Sequence, residues 1–418
     1  MHAKGTGMTT TPTATETPAA LPPRRVLYAS YCIGMFSLAL SDLYAVIVPL
    51  YALSLGFSAT EIGLLAAARA VLPTVFSIHG GSLMDRLGTR RVTLGCSLAT
   101  TVFAVLIPAM PWFWPLFVLQ LFSGLFMTFN WIGAQTLVAQ VCHGDAVILG
   151  RFNFVVRIGT IAAPVVAGLI WDLGGAWPTF LMIAVWGAIL YWLVYRVAEP
   201  NQELAQGPRP SILEALPRVS DYTRTFALML IPIIAFTIVI GSLRNATTGV
   251  QTSIYIVYLQ EIGFQGTLIG LLFAGLEIAI AVASLGVGWA RRLGPPEWVL
   301  LGSAMVAILA ISVTPYLGGF FALLLLFQVF RGLAQGFMQP LMFSIQSIVV
   351  GKEKQGAVVG LRLAANRIIS LIVPPVMGAV ADWTSIETSF VVIGLILIVG
   401  CVWTGVLLVR RPELRMRE

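Results

Sequence analysis

The sequence predicts an all-α membrane protein with twelve transmembrane helices in two pseudo-symmetric six-helix bundles. Three observations predict this fold class: an apolar composition, a series of long apolar stretches and an internal repeat. Hydrophobic residues make up 58% of the chain and charged residues only 10%, whereas soluble globular domains carry about 25% charged residues. The composition therefore excludes an ordinary soluble protein.

Twelve apolar stretches come close to the ~20 residues that a helix needs to cross a bilayer. These predicted spans 1 to 12 lie at 27–54, 60–80, 92–110, 114–140, 148–170, 178–197, 228–257, 267–288, 298–316, 319–345, 358–380 and 388–409. The first residues are rich in Thr, Pro and Ala and lack the apolar core of a signal peptide, so we expect an uncleaved first span. The predicted domains are a disordered tail at 1–25, a bundle at 26–197, a cytoplasmic linker at 198–226, a second bundle at 227–411 and a tail at 412–418.

The two halves of the chain repeat each other. Gly56-Phe57 and Ile62-Gly63-Leu64-Leu65 recur 207 residues later as Gly263-Phe264 and Ile269-Gly270-Leu271-Leu272, while Pro164, Gly168 and Asp172 recur 210 residues later as Pro374, Gly378 and Asp382. Similar parts in the same order indicate a duplicated six-span bundle. Transporters built from such repeats bind their substrate near mid-membrane, between the repeats.

Charge placement predicts the orientation. If the N-terminus lies in the cytoplasm, all charged residues of the outer loops are acids, and none is Lys or Arg. These acids are Glu61, Asp172, Glu261, Asp382 and Glu387. Basic residues mark the cytoplasmic side of membrane proteins, so we expect both termini in the cytoplasm and the chain in the plasma (inner) membrane. The net charge of +7 follows from this orientation. The expected partners are the lipid bilayer, protons and a small-molecule substrate, with no nucleic acid, and the expected state is a monomer.

The loop between spans 2 and 3 carries a motif. From Gly81 to Arg91 the chain reads Gly-Ser-Leu-Met-Asp-Arg-Leu-Gly-Thr-Arg-Arg. This spacing resembles the signature loop of the major facilitator superfamily of secondary transporters, and the resemblance extends to the whole chain. It implies an inner latch whose Asp lies near the start of span 11, here the segment 356–362. The gating residues implied in this loop are Gly81, Asp85, Arg86, Gly88, Arg90 and Arg91.

Two spans depart from the family's pattern. Many proton-coupled drug exporters of this family carry an Arg in span 4, where this chain has Gln120 before Gly124. Span 5 keeps only part of the exporter signature, in Ala163-Pro164. Both departures weaken the case for export.

Polar and aromatic residues follow a spacing of three and four along spans 1, 4, 7 and 10, which places them on helical stripes. In the family that the chain resembles, these four spans line the central cavity. An Arg pair binds carboxylate by a bidentate fork, which suits a flat organic acid stacked on an aromatic ring. The candidate substrate contacts are Trp131, Gln135, Arg244, Gln251, Tyr255, Arg331, Gln335 and Gln339. The alternatives are that these groups hold helices together, and that neighbouring carbonyls satisfy Arg331.

Seven charges fall well inside predicted spans, away from the span ends, where each is costly and a functional candidate. They are Asp42, Arg69, Arg157, Arg244, Glu277, Arg331 and Arg367. Asp42 is the expected proton carrier, with Arg69 modulating it and Glu277 as the alternative carrier. A fixed Asp42–Arg69 ion pair without a transport role is the structural alternative. Arg157 and Arg367 occupy equivalent repeat positions, and we expect them toward the cytoplasmic ends, as inner-gate residues or with snorkelling side chains. Substrate binding is the alternative for both.

The sequence contains no nucleophile–base pair, no phosphate-binding glycine loop and no metal-ligand cluster, so we expect no enzyme, cofactor or metal. The favoured function is alternating-access transport of a small organic solute, with proton-coupled efflux of a drug or metabolite first. One alternative is a proton-coupled importer of an organic anion, which Arg244 and Arg331 favour. Another is a membrane binding protein without transport, and the signature loop argues against it.

Overall fold

The structure is a computed structural model that describes residues 24–142, 146–197, 227–286, 292 and 294–414. Within these ranges the description excludes the side chains of 77–82, 85–86, 140–142, 146–147, 227–228, 347–348, 350–357, 359–360 and 412. The predicted linker and most of both predicted tails lie outside the described residues.

Each predicted span coincides with helix. Spans 1 to 6 are Arg24–Ser54, Ala59–Leu87, Thr89–Ala109, Phe113–Cys142, Ala146–Gly174 and Ala176–Arg196. Span 8 is Gly266–Leu285, span 9 Pro296–Ser312 and span 12 Ile386–Arg410. Eleven segments of the described chain are long and apolar enough to cross a membrane, and span 9 is shorter. A 3₁₀ turn at Thr314–Leu317 extends span 9. The all-helical, twelve-span prediction is confirmed.

Span 7 is interrupted, although its sequence predicts one continuous stretch. It consists of the helices Pro232–Gln251 and Ile254–Glu261, separated at Thr252 and Ser253. The Ser253 hydroxyl donates to the carbonyl oxygen of Gly249 at 2.7 Å. Ser and Thr compete in this way with backbone hydrogen bonding. The break lies within the apolar span, a depth at which irregular backbone must be buried in protein or line a cavity.

Spans 10 and 11 belong to one helix, Phe321–Trp383, rather than to two helices joined by a loop. The connecting residues include Lys352, Glu353 and Gln355 and no proline, so helix propensity favours continuation. A straight helix of 63 residues would measure about 95 Å. Its two ends nevertheless lie on the same side of the bundle, because Phe321 packs on Phe264 and Asp382 shares a cavity with Glu261. The helix therefore bends back between the two spans.

We call this side of the bundle the acidic end, because the five acids of the predicted outer loops lie there. They are Glu61, Asp172, Glu261, Asp382 and Glu387.

Two equivalent pairs of spans join the halves: span 2 packs on span 11, and span 5 packs on span 8. The backbone of Gly63 faces the carbonyl of Pro374, and the repeat-equivalent Gly270 faces the carbonyl of Pro164. A Cβ atom at either glycine would collide with the opposite backbone, so both contacts require glycine. The internal repeat therefore produces two equivalent contacts between the halves, related by a pseudo-two-fold axis.

Candidate functional site

A cavity of about 280 Å³ lies between the two halves, and we call it the central cavity. Spans 1, 2 and 4 line it from the N-terminal half, and spans 7 and 11 line it from the C-terminal half. Its charged lining residues are Asp42, Arg69 and Arg367. Trp131 lines it too, as does Thr252 at the break in span 7. Three charged side chains inside the helical bundle make the central cavity the candidate functional site.

Asp42 is not ion-paired. Among the described side chains, no Lys or Arg nitrogen lies within 4.0 Å of its carboxylate. The ion pair found among these side chains joins Arg157 to Glu277. The alternative of a fixed Asp42–Arg69 pair is therefore not what the structure contains. An unpaired carboxylate facing a cavity is free to bind a proton or a cation.

Arg69 is held beside Asp42 through the backbone. Its Nη2 atom donates to the carbonyl oxygen of Ser41 at 2.8 Å and to the Ser41 hydroxyl at 3.1 Å. Gly124 of span 4 packs directly on the backbone of Arg69, and a Cβ atom there would collide with the Arg69 carbonyl. This close approach of spans 2 and 4 fixes the position of the guanidinium at the cavity wall.

Arg367 joins the two halves at the cavity. Its Nη2 atom donates to the Thr128 hydroxyl of span 4 at 3.2 Å. The sequence placed Arg367 toward the cytoplasmic end, as a counterpart of Arg157, whereas it lines the central cavity. The signal that could have found it is the spacing of three between Arg367 and Ser370, both of which line the cavity.

The Arg331 side chain lies inside the C-terminal half, with only 1% of its surface exposed, and it does not line the central cavity. It donates to Gln251 Oε1 at 2.8 Å, to Gln328 Oε1 at 3.2 Å and to the Thr247 carbonyl at 2.9 Å. Gln335 joins the same network by donating to the Thr247 hydroxyl at 3.1 Å. Neighbouring oxygens therefore accept from both Nη atoms, as the structural alternative expects, whereas the buried Nε atom has no hydrogen-bond partner among the described residues.

The other predicted substrate contacts are spread over the molecule. Trp131 lines the cavity and stacks on Phe152, with ring centroids 6.2 Å apart. Tyr255 is buried outside the cavity lining, and Gln135 and Gln339 are exposed and outside it as well. Of the eight residues, only Trp131 lines the cavity.

Glu277 and Arg157 form an ion pair that connects span 8 to span 5 across the halves. The Thr160 hydroxyl lies 3.4 Å from the same carboxylate oxygen. Arg244 lies within electrostatic range of both partners but outside the central cavity. Glu277 is therefore neutralised by a neighbour, unlike Asp42.

The signature loop is described in part. Gly88 ends span 2 with a positive φ of 88°, which favours glycine. Arg90 donates to the Tyr195 carbonyl at 2.7 Å, at the C-terminal end of span 6, where a cation is favourable. It thus binds within its own half, and Arg91 is exposed. The structure describes the backbone of Gly81, Asp85 and Arg86 but not the side chains of Asp85 and Arg86. The expected contact of Asp85 with 356–362 therefore lies outside the described part of the chain.

Two equivalent acids connect the halves at the acidic end. Asp382 of span 11 accepts hydrogen bonds from the Ala59 and Thr60 backbone N–H groups at 2.9 and 2.8 Å. Asp172 of span 5 accepts from the Gly266 and Thr267 N–H groups, both at 2.7 Å. Each carboxylate caps the N-terminus of a span in the opposite half, where a negative charge is favourable. We call these contacts the end latches.

Comparisons with known proteins agree with this geometry. The sequence model of the Major Facilitator Superfamily matches residues 30–250 and 237–418. The chain is 22% identical to the tetracycline resistance protein, class C, of Escherichia coli, over 77% of this chain and 80% of that protein. It is 21% identical to the quinolone resistance protein NorA of Staphylococcus aureus, over 80% and 84% of the two chains.

Solved structures of transporters share the fold. The nucleoside transporter NupG superposes with a TM-score of 0.71 at 14% identity, over 92% of this chain and 99% of that one. A bacterial homolog of the human lysosomal transporter Spinster, in an inward-facing and unoccupied conformation, superposes with a TM-score of 0.74 at 14% identity, over 94% and 99%.

Proposed function

Because the chain belongs to the Major Facilitator Superfamily, we propose that this membrane transporter is a proton-coupled exporter of a small organic solute that works by alternating access. The observation that carries the proposal is the unpaired carboxylate of Asp42 in a cavity shared by both halves. The two resistance proteins that the chain resembles support export of a drug-like solute. The acidic end faces outside, both termini lie in the cytoplasm, and the protein works as a monomer.

Asp42 is a better proton carrier than Glu277, because Glu277 already has a cationic partner in Arg157. Protonation of Asp42 changes the charge at the surface where the halves meet, and therefore the relative stability of conformations that differ in this contact. Arg69 modulates the carboxylate through its bonds to Ser41. Arg367 gates the contact, because its bond to Thr128 must break when spans 4 and 11 separate.

The moving bodies of this mechanism are the two predicted bundles, 26–197 and 227–411, joined by the linker 198–226. The end latches hold the acidic end closed, and the signature loop with Asp85 and Arg86 serves the opposite end. Within the cavity, Trp131 contacts the solute, and Arg69 and Arg367 take the place first assigned to Arg244 and Arg331.

The test is proton flux in everted membrane vesicles with a pH-sensitive dye. Tetracycline and a quinolone serve as probes, followed by a wider panel of drugs. We expect addition of a transported solute to dissipate the pH gradient with the wild-type protein but not with Asp42→Asn. The matched control Glu413→Gln removes an exposed acid far from the cavity and should behave as wild type. Full solute-dependent flux in the Asn variant would reject Asp42 as the carrier.

Proton-coupled import of an organic anion is the second candidate. The observation in its favour is that two arginines face one carboxylate in the central cavity. The same vesicles separate the two candidates, because protons move against the solute in an exporter and with it in an importer.

A further inference from the structure

We infer, on the basis of the proposed function, that the central cavity accepts a small zwitterion, with its anionic group between Arg69 and Arg367 and its ammonium group at Asp42. This assigns a chemical class to the solute and a separate role to each of the three charges.

No ion pair within 4.0 Å joins any of the three charges of the cavity to another described side chain, although Asp42 and Arg69 interact electrostatically. Both guanidinium groups bond to neutral oxygens, Arg69 to Ser41 and Arg367 to Thr128. The Asp42 carboxylate has no cationic nitrogen within 4.0 Å among the described side chains. Unpaired charges are costly inside a membrane protein and usually serve a ligand or ion. A solute that carries both signs would supply the missing partners.

The anionic subsite is built from both halves. Arg69 belongs to span 2 and Arg367 to span 11, and both side chains line the same central cavity. Their mutual repulsion is relieved when a carboxylate binds between them. A guanidinium holds a carboxylate with two parallel hydrogen bonds, so the pair selects a carboxylate or a group of similar shape.

The cationic subsite follows from the direction of exchange. If the solute were a simple anion, protonation of Asp42 would remove a nearby negative charge and strengthen its binding. Proton and anion would then bind together, as in an importer. An ammonium group instead competes with the proton for the one carboxylate. Since an exporter exchanges the solute for protons, its solute must weaken proton binding, and two ligands that oppose each other do so reciprocally.

The walls of the cavity set the size of the solute. Trp131 and Met127 supply an aromatic and an apolar surface beside the charges. At about 280 Å³, the cavity lies near the lower limit of the ~300–1,000 Å³ typical of ligand sites. A solute with one ring between its ammonium and carboxylate groups fits these limits.

The experiment uses three probes with the same ring. Para-aminomethylbenzoic acid is the zwitterion, para-toluic acid keeps only the anion, and para-methylbenzylamine keeps only the cation. Their binding to the full-length purified protein is measured by calorimetry. We expect the zwitterion to bind at least about tenfold more tightly than either analogue, which corresponds to about 1.4 kcal/mol.

Variants assign the two subsites. Arg367→Gln should reduce the affinity for the zwitterion to that for the cation, and Asp42→Asn should reduce it to that for the anion. Arg367→Lys keeps the charge without the fork and should give an intermediate affinity. Arg410→Gln, which changes an exposed residue at the end of span 12, is the matched control. Monodisperse elution and an unchanged unfolding temperature establish that each variant is folded.

The pH dependence is an independent readout. The charged groups around Asp42 are Arg69 on span 2, Arg367 on span 11, and the Arg157–Glu277 pair on spans 5 and 8. As the pH falls and Asp42 binds a proton, binding of the zwitterion should weaken and binding of the anion should strengthen. Asp42→Asn should remove both trends.

The inference is overturned if either singly charged analogue binds as tightly as the zwitterion, if Arg367→Gln or Asp42→Asn leaves zwitterion binding unchanged, or if none of the three probes binds. Binding in detergent requires no transport, so the outcome is separable from the proposed function. Proton-coupled efflux without selectivity for charge would reject the zwitterion and keep the exporter. Charge-selective binding without proton exchange in vesicles would keep the site and reject the exporter.

Discussion

Gly124 determines where the Arg69 guanidinium lies, because its missing side chain lets span 4 touch the backbone of span 2. We expect Gly124→Ala to displace Arg69 from the cavity wall and to lower solute-dependent proton flux at least about tenfold. Overpacking of this kind also costs about 1–3 kcal/mol of stability. Dye-monitored flux and thermal unfolding measure the two effects.

Gly95→Ala is the matched control for this change. Gly95 also lies in a helix, but a Cβ atom there would meet no neighbour within 4 Å. Replacing it with Ala should preserve flux and raise stability slightly, since Ala has the higher helix propensity. Equal behaviour of the two variants would mean that the contact at Gly124 does not position Arg69.

Arg331 offers a second test at this scale, because its side chain lies outside the central cavity in which the sequence predicted it to contact the solute. Removal of its guanidinium leaves acceptors on Gln251, Gln328 and Thr247 without their donor, and a lost hydrogen bond to a charged group costs about 1.5–3 kcal/mol. We therefore expect Arg331→Gln to lower the unfolding temperature while the folded protein binds its solute with unchanged affinity. A selective loss of affinity at unchanged stability would restore Arg331 to the binding site.

The stripes on spans 1, 4, 7 and 10 were visible in the sequence, but the direction in which each side chain points was not. Asp42 and Arg69 were expected at a similar depth, since depth along a span can be counted from its ends, and both line the central cavity together with Trp131. Arg331 lies outside the central cavity and Arg367 lines it, a difference that depends on the rotation of each helix about its axis, which sequence spacing does not fix. A modest rotation of the helix about its own axis turns a stripe of long polar side chains from the cavity toward a neighbouring helix.

At the scale of the helices, the end latches predict a change in conformational balance. An acid at a helix N-terminus contributes about 0.3–1 kcal/mol, and up to about 2 kcal/mol when partly buried. Asp382→Asn removes the charge from one latch, so the acidic end should open more often. Glu387→Gln, at an exposed acid of the same end, is the control.

The readout for this opening is a cysteine at Val257, which is 2% exposed and borders the cavity at the acidic end. In a cysteine-free background, Val257→Cys should react with a membrane-impermeant maleimide about two to ten times faster when Asp382→Asn is present. An unchanged rate would show that the latch does not hold this end closed.

The helices themselves could be predicted to within a few residues, because a bilayer requires long apolar stretches and few sequences satisfy that requirement by chance. Their irregularities could not. The break in span 7 lies at Thr252 and Ser253, and the Ser253 hydroxyl bond to the Gly249 carbonyl does not predict it, because the unbroken span 4 contains the same kind of bond at Thr128 and Thr136. The continuity of spans 10 and 11 depends on polar residues that are equally common in loops and in helix surfaces.

At the scale of the whole molecule, the two end latches join the same two halves at the acidic end, from two symmetric positions. They share no residue, so their contributions to the closed state should add. We expect the fold-changes in labelling for Asp172→Asn and Asp382→Asn to multiply in the double variant. A double variant no faster than the faster single one would mean that the halves separate at one pair of spans first, as a hinge.

Substitutions on the two sides of an end latch should differ in effect, because one side binds through a side chain and the other through the main chain. Each acid binds main-chain N–H groups at Ala59 and Thr60, or at Gly266 and Thr267, and every residue except proline supplies such a donor. A random library should therefore lose a latch through almost any change at Asp172 or Asp382, while most changes at Ala59 or Thr60 leave it in place. The partners of Asp172 are more constrained than those of Asp382, because Thr267 also donates its hydroxyl to Asp172 at 2.6 Å and a Cβ atom at Gly266 would lie 3.0 Å from the same carboxylate. Sequence drift should therefore be tolerated at Ala59 and opposed at Gly266 and Thr267.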